Sequence, residues 1–151
     1  MSMIPFSRLS AGLAFVRACR VDQLIAGRGV AVLLGDRQVA IFLVPETDEQ
    51  GTLHMRIYAV DHHDPFSGAN VIARGIVGSR GDRTTVASPI YKQVFDLATG
   101  ECLTEEGRLD TWPVRVRDGV VHLGVDPVSA GLTSPVSFPR AGVLPRAGSP
   151  A

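Results

Sequence analysis

The stretch that decides the fold is VASPIYKQVFDLATGECL, residues 86–103. Its FDLATG segment has the composition of a tight turn, because the Asp96 carboxylate can accept hydrogen bonds from backbone N–H groups and Gly100 can adopt a positive φ. We therefore assign these residues a structural role and no chemistry. Ahead of the turn, the aromatic Tyr91 stands beside the basic Lys92. Aromatic residues with basic neighbours are common at protein interfaces, so this loop is a candidate contact surface.

On both sides of this stretch, apolar runs are separated by turn residues. Residues 29–35 and 37–44 are two such runs, and Gly35-Asp36 between them predicts a tight hairpin. Residues 114–123 alternate valine with arginine and then reach Asp118-Gly119, a pair that suits the two positive-φ positions of a type I′ turn. The pattern predicts antiparallel hairpins.

Many short strands with Gly-rich turns at close spacing predict a small all-β fold, a sandwich or barrel of short antiparallel strands. Residues 52–60 have the period of a half-buried strand. Its two faces would carry Leu53, Met55, Ile57 and Ala59 on one side and His54, Arg56 and Tyr58 on the other. Helix signals are weak, and we predict one short turn over residues 21–26, after an Asp22 cap.

The composition is that of one globular domain. The chain has 151 residues, 45% of them hydrophobic and 20% charged, and its 15 basic residues balance 15 acidic ones. Without a net positive charge, nucleic-acid binding is disfavoured. The longest apolar runs are too short to span a bilayer, which argues against a membrane partner. Cys19 and Cys102 have no paired spacing, so we expect a reducing, cytoplasmic location.

The two ends of the chain differ from its centre. We interpret residues 1–14 as a flexible lead-in rather than a signal peptide, because no small-residue cleavage site follows the apolar run. Residues 125–151 hold five of the ten prolines and only three charged residues. Proline removes donors from a strand ladder, so we expect this segment not to continue the sheet. We predict a disordered tail or an extended arm on a partner protein.

Residues 58–75, 86–103 and 111–123 together resemble the Rieske ferredoxin domain. In that family the first loop runs Cys-Pro-His and continues into Arg-Gly-Ala, and the second runs Cys-Pro-x-His-Gly into Phe-Asp-Leu-x-Thr-Gly. The corresponding segments here are DPF, inside YAVDHHDPFSGANVIARG, and SPIY, which leads into FDLATG. The resemblance covers residues 15–124 and implies a small Rieske-like β-sandwich or barrel.

All four ligands of a Rieske cluster are replaced in this sequence. The family uses two cysteine thiolates on one iron and two histidine imidazoles on the other. Carried over position by position, the cysteines fall on Asp64 and Ser88 and the histidines on Phe66 and Tyr91. The chain's own two cysteines stand outside both loops. We therefore predict that the chain binds no [2Fe–2S] cluster, no other metal and no cofactor, and that it holds no catalytic residue.

The Rieske-like loops with their four ligands replaced are similar to those of the small subunit of the bacterial assimilatory NAD(P)H-dependent nitrite reductase. The match runs from DPFSGANVIARG and VASPIYKQVFDL through ECLTEEGRLDTWPVRVRDGVVHL. This resemblance implies an accessory subunit of an oxidoreductase that reduces nitrite to ammonium in nitrate assimilation, a branch of nitrogen metabolism. It also implies a large catalytic partner subunit that carries FAD, an iron–sulfur centre and sirohaem.

Our candidate docking patch for that partner consists of Phe66, Tyr91 and Lys92. Tyr91 has a second interpretation, in which its ring packs between the two loops and fills the space of a cluster. His62 and His63 should point to opposite faces of an extended segment, so we interpret them as solvated loop residues and not as metal ligands.

Two other functions stay open at this stage. A Rieske-type [2Fe–2S] ferredoxin would carry electrons, but the four replaced ligands argue against it. A stand-alone β interaction domain would bind some other protein and would need no reductase. Co-purification with a large subunit that contains flavin and sirohaem distinguishes the accessory subunit from this second alternative.

Overall fold

The computed structural model describes residues 14–128 and 136–139. Within them the chain forms ten strands and two single-turn 3₁₀ helices, at Val21–Gln23 and Ile72–Arg74. The strands are β1 (Phe15–Arg20), β2 (Gly29–Leu34), β3 (Arg37–Thr47), β4 (Leu53–Asp61), β5 (Ile76–Arg80), β6 (Arg83–Ala87), β7 (Val94–Asp96), β8 (Val114–Arg117), β9 (Val120–Gly124) and β10 (Val136–Pro139). No α-helix occurs in this part of the chain, and no helix there is long and apolar enough to cross a membrane.

The strands form three antiparallel sheets, which confirms the predicted all-β fold class. The base sheet has the order β1-β9-β8, the central sheet β10-β4-β3-β2 and the loop sheet β5-β6-β7. The predicted hairpins are also confirmed. Gly35 turns β2 into β3 with φ 64°, and Asp118 and Gly119 join β8 to β9 with φ of 53° and 75°, the positive values that a type I′ turn requires.

The central sheet is the middle layer, because each of its faces packs against one of the other sheets. The first core cluster lies towards the base sheet and contains Cys19, Val21, Leu24, Val39, Ile41, Leu43, Met55, Ile57, Ala59, Trp112, Val121 and Leu123. The second core cluster lies towards the loop sheet and contains Ala40, Phe42, Val44, Tyr58, Val60, Ile72, Val86, Phe95, Leu97, Cys102 and Leu109.

This layering corrects the prediction that β4 is half-buried. Tyr58 was expected on a polar face, but its ring belongs to the second core cluster and its hydroxyl donates a hydrogen bond to Glu46. Thr84 of β6 donates to the same carboxylate, so Glu46 ties the central sheet to the loop sheet. Burial and the nearby Glu46 carboxylate raise the pKa of the Tyr58 hydroxyl well above its usual range.

Two predictions about local elements are also corrected. The short turn near the N-terminus occupies Val21–Gln23 with Arg20 at its N-cap position, and Asp22 lies inside the turn, paired with Arg20. In the proline-rich segment, β10 pairs with β4 from Val136 opposite Ile57 to Pro139 opposite His54. The expectation that this segment does not continue the sheet is therefore wrong for β10, which is an edge strand with a proline at its last position, where a missing donor is tolerated.

The ends of the predicted domain are only partly described. Ala14 accepts a hydrogen bond from the Val125 amide at 2.9 Å, and Val128 forms a bridge with Thr111. Residues 1–13, 129–135 and 140–151 lie outside the described residues. The flexible lead-in over residues 1–14 stays a prediction, and so does the disordered tail or partner-bound arm over residues 125–151 apart from β10.

Candidate functional site

Two loops meet beside the loop sheet, and a buried hydrogen bond joins them. The first loop, residues 62–71, follows β4, and the second loop, residues 88–93, connects β6 to β7. Asp64 lies in the first loop and Ser88 in the second, and both are 0% exposed. The Ser88 hydroxyl donates to Asp64 Oδ2 at 2.6 Å. Asp64 and Ser88, which stand where a Rieske domain has its two cysteines, are therefore in direct contact.

Asp64 also organises the first loop around itself. Its Oδ1 accepts the Phe66 amide at 2.9 Å, and its backbone C=O accepts the Gly68 amide at 2.8 Å, with Gly68 at φ 78°. Burial by itself raises the pKa of the Asp64 carboxyl, but hydrogen bonds from Ser88, from the Phe66 amide and from Ser67 outweigh it and hold that pKa below its ordinary value. The side chain is thus a buried carboxylate whose charge is compensated by donors.

Ser88 plays the corresponding part in the second loop. Its amide donates to the Gln93 C=O at 2.8 Å, and its C=O accepts the Lys92 amide at 3.1 Å. Lys92 adopts φ 66°, a left-handed conformation that is uncommon for a residue other than glycine. The tight turn pushes Ile90 and Tyr91 outward, where they are 43% and 61% exposed. Tyr91 therefore does not fill a space between the loops, and that interpretation is wrong.

Phe66 is placed differently from Tyr91 and Lys92, the other two residues of the predicted docking patch. Its ring packs against the Phe95 ring of β7, with centroids 6.0 Å apart, and joins the second core cluster. Gly107 adjoins the same ring so closely that a Cβ there would lie 2.9 Å from Phe66 Cζ. The structure thus brings Phe66 inward and leaves Tyr91 and Lys92 exposed at the loop tip. Ile90 was missed, although its apolar side chain directly before Tyr91 could have identified it.

His62 and His63 point apart, as predicted. His63 is exposed, but His62 is buried, so the expectation that both are solvated is wrong for His62. His62 Nδ1 accepts the Ala73 amide at 3.0 Å, and its backbone C=O accepts the amides of Val71 and Ile72. Burial and the nearby Arg74 lower the pKa of the His62 imidazole. Its role is to hold the first loop against the 3₁₀ turn that follows.

The FDLATG turn has the predicted structure. Asp96 Oδ1 accepts the amides of Ala98 at 2.8 Å and Thr99 at 3.3 Å, and Gly100 has φ 81°. A Cβ on Gly100 would lie 1.9 Å from the Leu109 C=O, so only glycine fits this position. The turn anchors the strand that leads out of the second loop.

The residues at the four ligand positions do not fit a [2Fe–2S] cluster. Asp64 and Ser88 are hydrogen-bonded to each other in a site closed to solvent, Phe66 has no donor atom, and Tyr91 points outward. Cys19 and Cys102 are buried free cysteines, the first in the first core cluster and the second in the second, and neither stands at a ligand position. Among the described residues, no group of three or more His, Cys, Asp or Glu side chains is arranged to hold a metal ion.

Comparisons with known proteins agree with this geometry. The family model of the Rieske-like [2Fe-2S] domain matches residues 14–124. The chain is 37% identical over 106 residues to the small subunit of nitrite reductase (NADH) from Escherichia coli, which covers 70% of this chain and 92% of that protein. It is 36% identical over 107 residues to the large subunit of nitrite reductase [NAD(P)H] from Klebsiella oxytoca, 10% of that protein's length.

A solved structure gives the same result. The crystal structure of an NADH-dependent nitrite reductase small subunit from Mycobacterium tuberculosis superposes with a TM-score of 0.64 at 43% identity. The superposition covers 74% of this chain and 95% of that one. The similarity therefore extends from the sequence to the fold over 74% of the chain.

Proposed function

The chain belongs to the Rieske-like [2Fe-2S] domain family and, within it, to the small subunits of NAD(P)H-dependent nitrite reductase. From this premise we propose that it acts by docking on the large catalytic subunit and not by carrying electrons. It is the accessory subunit of an oxidoreductase. Its contribution in this proposal is to order the surface of the large subunit near the redox centres.

The observation that supports this most strongly is the Ser88–Asp64 hydrogen bond. In a Rieske domain the two loops are joined through the cluster, because each loop supplies one thiolate and one imidazole. Here a hydroxyl–carboxylate bond of 2.6 Å joins them instead. The shape of the loops is thus maintained without redox chemistry, which leaves the exposed loop tip as the feature that can act on a partner.

We propose that the loop tip, residues 90–92, is the contact surface. An exposed aliphatic side chain, an exposed aromatic ring and a lysine lie in sequence on a tightly hydrogen-bonded turn. A rigid aromatic anchor loses little conformational entropy on binding, and such residues carry much of the energy of interfaces. Phe66 packs against Phe95 on the core side and is not itself part of the contact in this proposal.

The family indicates the partner, and we extend the proposal to the partner's cofactors. The Klebsiella oxytoca large subunit contains a segment similar to this chain, which supports a close association between such a domain and the catalytic part of the enzyme. We propose that the large subunit holds FAD, an iron–sulfur centre and sirohaem, that it reduces nitrite to ammonium, and that the complex is cytoplasmic.

The experiment is to measure NADH-dependent nitrite turnover by the purified large subunit with and without this chain. We expect added wild-type chain to raise turnover or its lifetime. Tyr91→Ala should weaken binding to the large subunit by about 30-fold, the loss typical of an interface hot spot. Leu33→Ala, which removes a 71% exposed side chain from edge strand β2, should leave binding unchanged. Full and stable turnover by the large subunit alone would contradict the proposal.

A further inference from the structure

We propose that the outer face of the base sheet is a second docking surface, which binds an acidic surface of the large catalytic subunit. This basic face consists of Arg17, Arg20, Arg115, Arg117 and His122. The inference rests on the proposed function, because it names a second contact with the same partner. It concerns a sheet that shares no strand with the loop sheet.

Strand register brings the basic residues together. Arg17 of β1 and Arg115 of β8 both pair with His122 of β9, so the three side chains form one row across the sheet. The next row places Arg20 and Arg117 on either side of Val120. These rows face away from the core, because side chains alternate along a strand and the intervening Val121 and Leu123 are both 0% exposed.

Most of this charge is not compensated within the described residues. Arg20 pairs with Asp22, whereas Arg17, Arg115 and Arg117 form no ion pair with a carboxylate in that part of the chain. Asp118, in the turn after β8, is the carboxylate next in sequence to the face. The chain has a net charge of zero, so this cluster is a local excess and not the result of a basic composition. A partner's carboxylates would supply the counter-charges that these arginines lack.

One of the arginines is already positioned for binding. The Arg115 guanidinium lies 4.1 Å from the centroid of the Phe15 ring, close enough for a cation–π contact. Gly124, the register partner of Phe15, has no side chain to obstruct this contact. A guanidinium that is held by an aromatic ring loses less entropy when it pairs with a carboxylate, which favours recognition of an acidic surface.

The size of a stable interface supports a second contact. A specific protein–protein interface buries about 800 Å² on each partner, contributed by about 20–30 residues. The three residues of the loop tip cannot supply that area. The basic face adds three strands' width of surface, and its charge identifies the complementary partner surface as rich in Asp and Glu.

The test compares two charge-reversal variants of the full chain for binding to the purified large subunit at several salt concentrations. Arg17→Glu/Arg117→Glu alters the basic face. Arg28→Glu/Arg80→Glu changes the net charge equally at exposed arginines outside the base sheet that also form no ion pair within the described residues. We expect the first variant to bind about 10-fold more weakly or worse and to lose most of the salt dependence, because charge pairs at an interface control association. The second variant should bind as the wild type does.

Arg17→Gln/Arg117→Gln gives a milder variant for the case in which charge reversal prevents folding, and it should show the same effect at smaller size. Equal binding and equal salt dependence of wild type and face variants would overturn the second docking surface while leaving the proposed function intact. A face variant that loses affinity for duplex DNA or anionic vesicles but not for the large subunit would also overturn it. Failure of the wild-type chain itself to bind the large subunit would overturn both proposals.

Discussion

The Ser88 hydroxyl and the Asp64 carboxylate join two loops that a cluster-binding Rieske domain joins through metal ligands. The contact is buried, and the carboxylate is surrounded by hydrogen-bond donors from its own loop. A hydrogen bond to a charged group contributes about 1.5–3 kcal/mol, and removing one partner leaves the other buried and unsatisfied. Removing either partner of this contact should therefore be destabilising.

Ser88→Ala should lower the free energy of unfolding by about 1.5–3 kcal/mol, because it removes the donor from a buried carboxylate. Urea denaturation measures the loss. Ser79→Ala is the matched control, since Ser79 is exposed on β5, and its effect should stay within about 0.5 kcal/mol. Equal effects of the two substitutions would show that the loops are not held together by the Ser88–Asp64 contact.

His62 makes the stability depend on pH. Its pKa is lowered in the folded chain, so below its ordinary value of 6.5 the unfolded chain binds a proton that the folded chain does not. The contribution of His62 is therefore present above that value and is lost as the pH falls. The lowered pKa of Asp64 acts in the same direction at more acidic pH. Stability should decrease from about pH 7 towards about pH 5.

The histidine part of this slope can be isolated. His62→Asn keeps an oxygen acceptor near the position of Nδ1 for the Ala73 amide and removes the titrating ring. We expect a shallower dependence of the unfolding free energy on pH in this variant, measured by urea denaturation across that range. His63→Asn alters the exposed neighbour and should keep the wild-type slope, so an unchanged slope in His62→Asn would refute the assignment.

Among the elements, the turns are the part that the sequence predicts best. Asp118-Gly119 and Gly35 adopt the positive φ values that their residue types favour, and the register of each hairpin follows from its turn. The FDLATG turn belongs to the same group, since its hydrogen bonds run between neighbours in sequence. Local chemistry determines these features, and so one sequence is sufficient to predict them.

Gly100→Ala tests the strictest of these turns. The substitution places a Cβ 1.9 Å from the Leu109 C=O at a backbone φ of 81°, so it must displace the backbone at Leu109. Gly81→Ala has a similar φ of 62° but open space around it, and it should cost about 1–2 kcal/mol. Thermal unfolding should show a clearly larger loss for Gly100→Ala, and similar losses would contradict the packing.

Other elements depend on contacts that are distant in sequence. The alternation of β4 indicates one polar face, yet Tyr58 is buried because the loop sheet covers that face and Glu46 accepts its hydroxyl. The high proline content of the tail does not predict a strand there. β10 forms because it pairs with the open edge of β4. Neither the covering sheet nor the open edge is visible in a local pattern.

At the scale of the whole molecule, the fold places the loop tip, residues 90–92, and the basic face on two different sheets. The ligand positions Asp64, Phe66, Ser88 and Tyr91 could be identified from the loop motifs, but not their directions. The inward position of Phe66 arises from Phe95 and Gly107, which come from a neighbouring strand and a later loop. The outward position of Tyr91 arises from the tight turn about Ser88.

Protein hydrogen bonds join the two loops, which predicts a scaffold that holds no cluster. The most direct measurement is the visible absorption spectrum and iron content of this chain, expressed alone in iron-supplied cells. We predict a colourless, folded protein without stoichiometric iron, because Asp64 and Ser88 satisfy each other. A stoichiometric iron–sulfur chromophore would show that the loops bind a cluster and would make the chain an electron carrier.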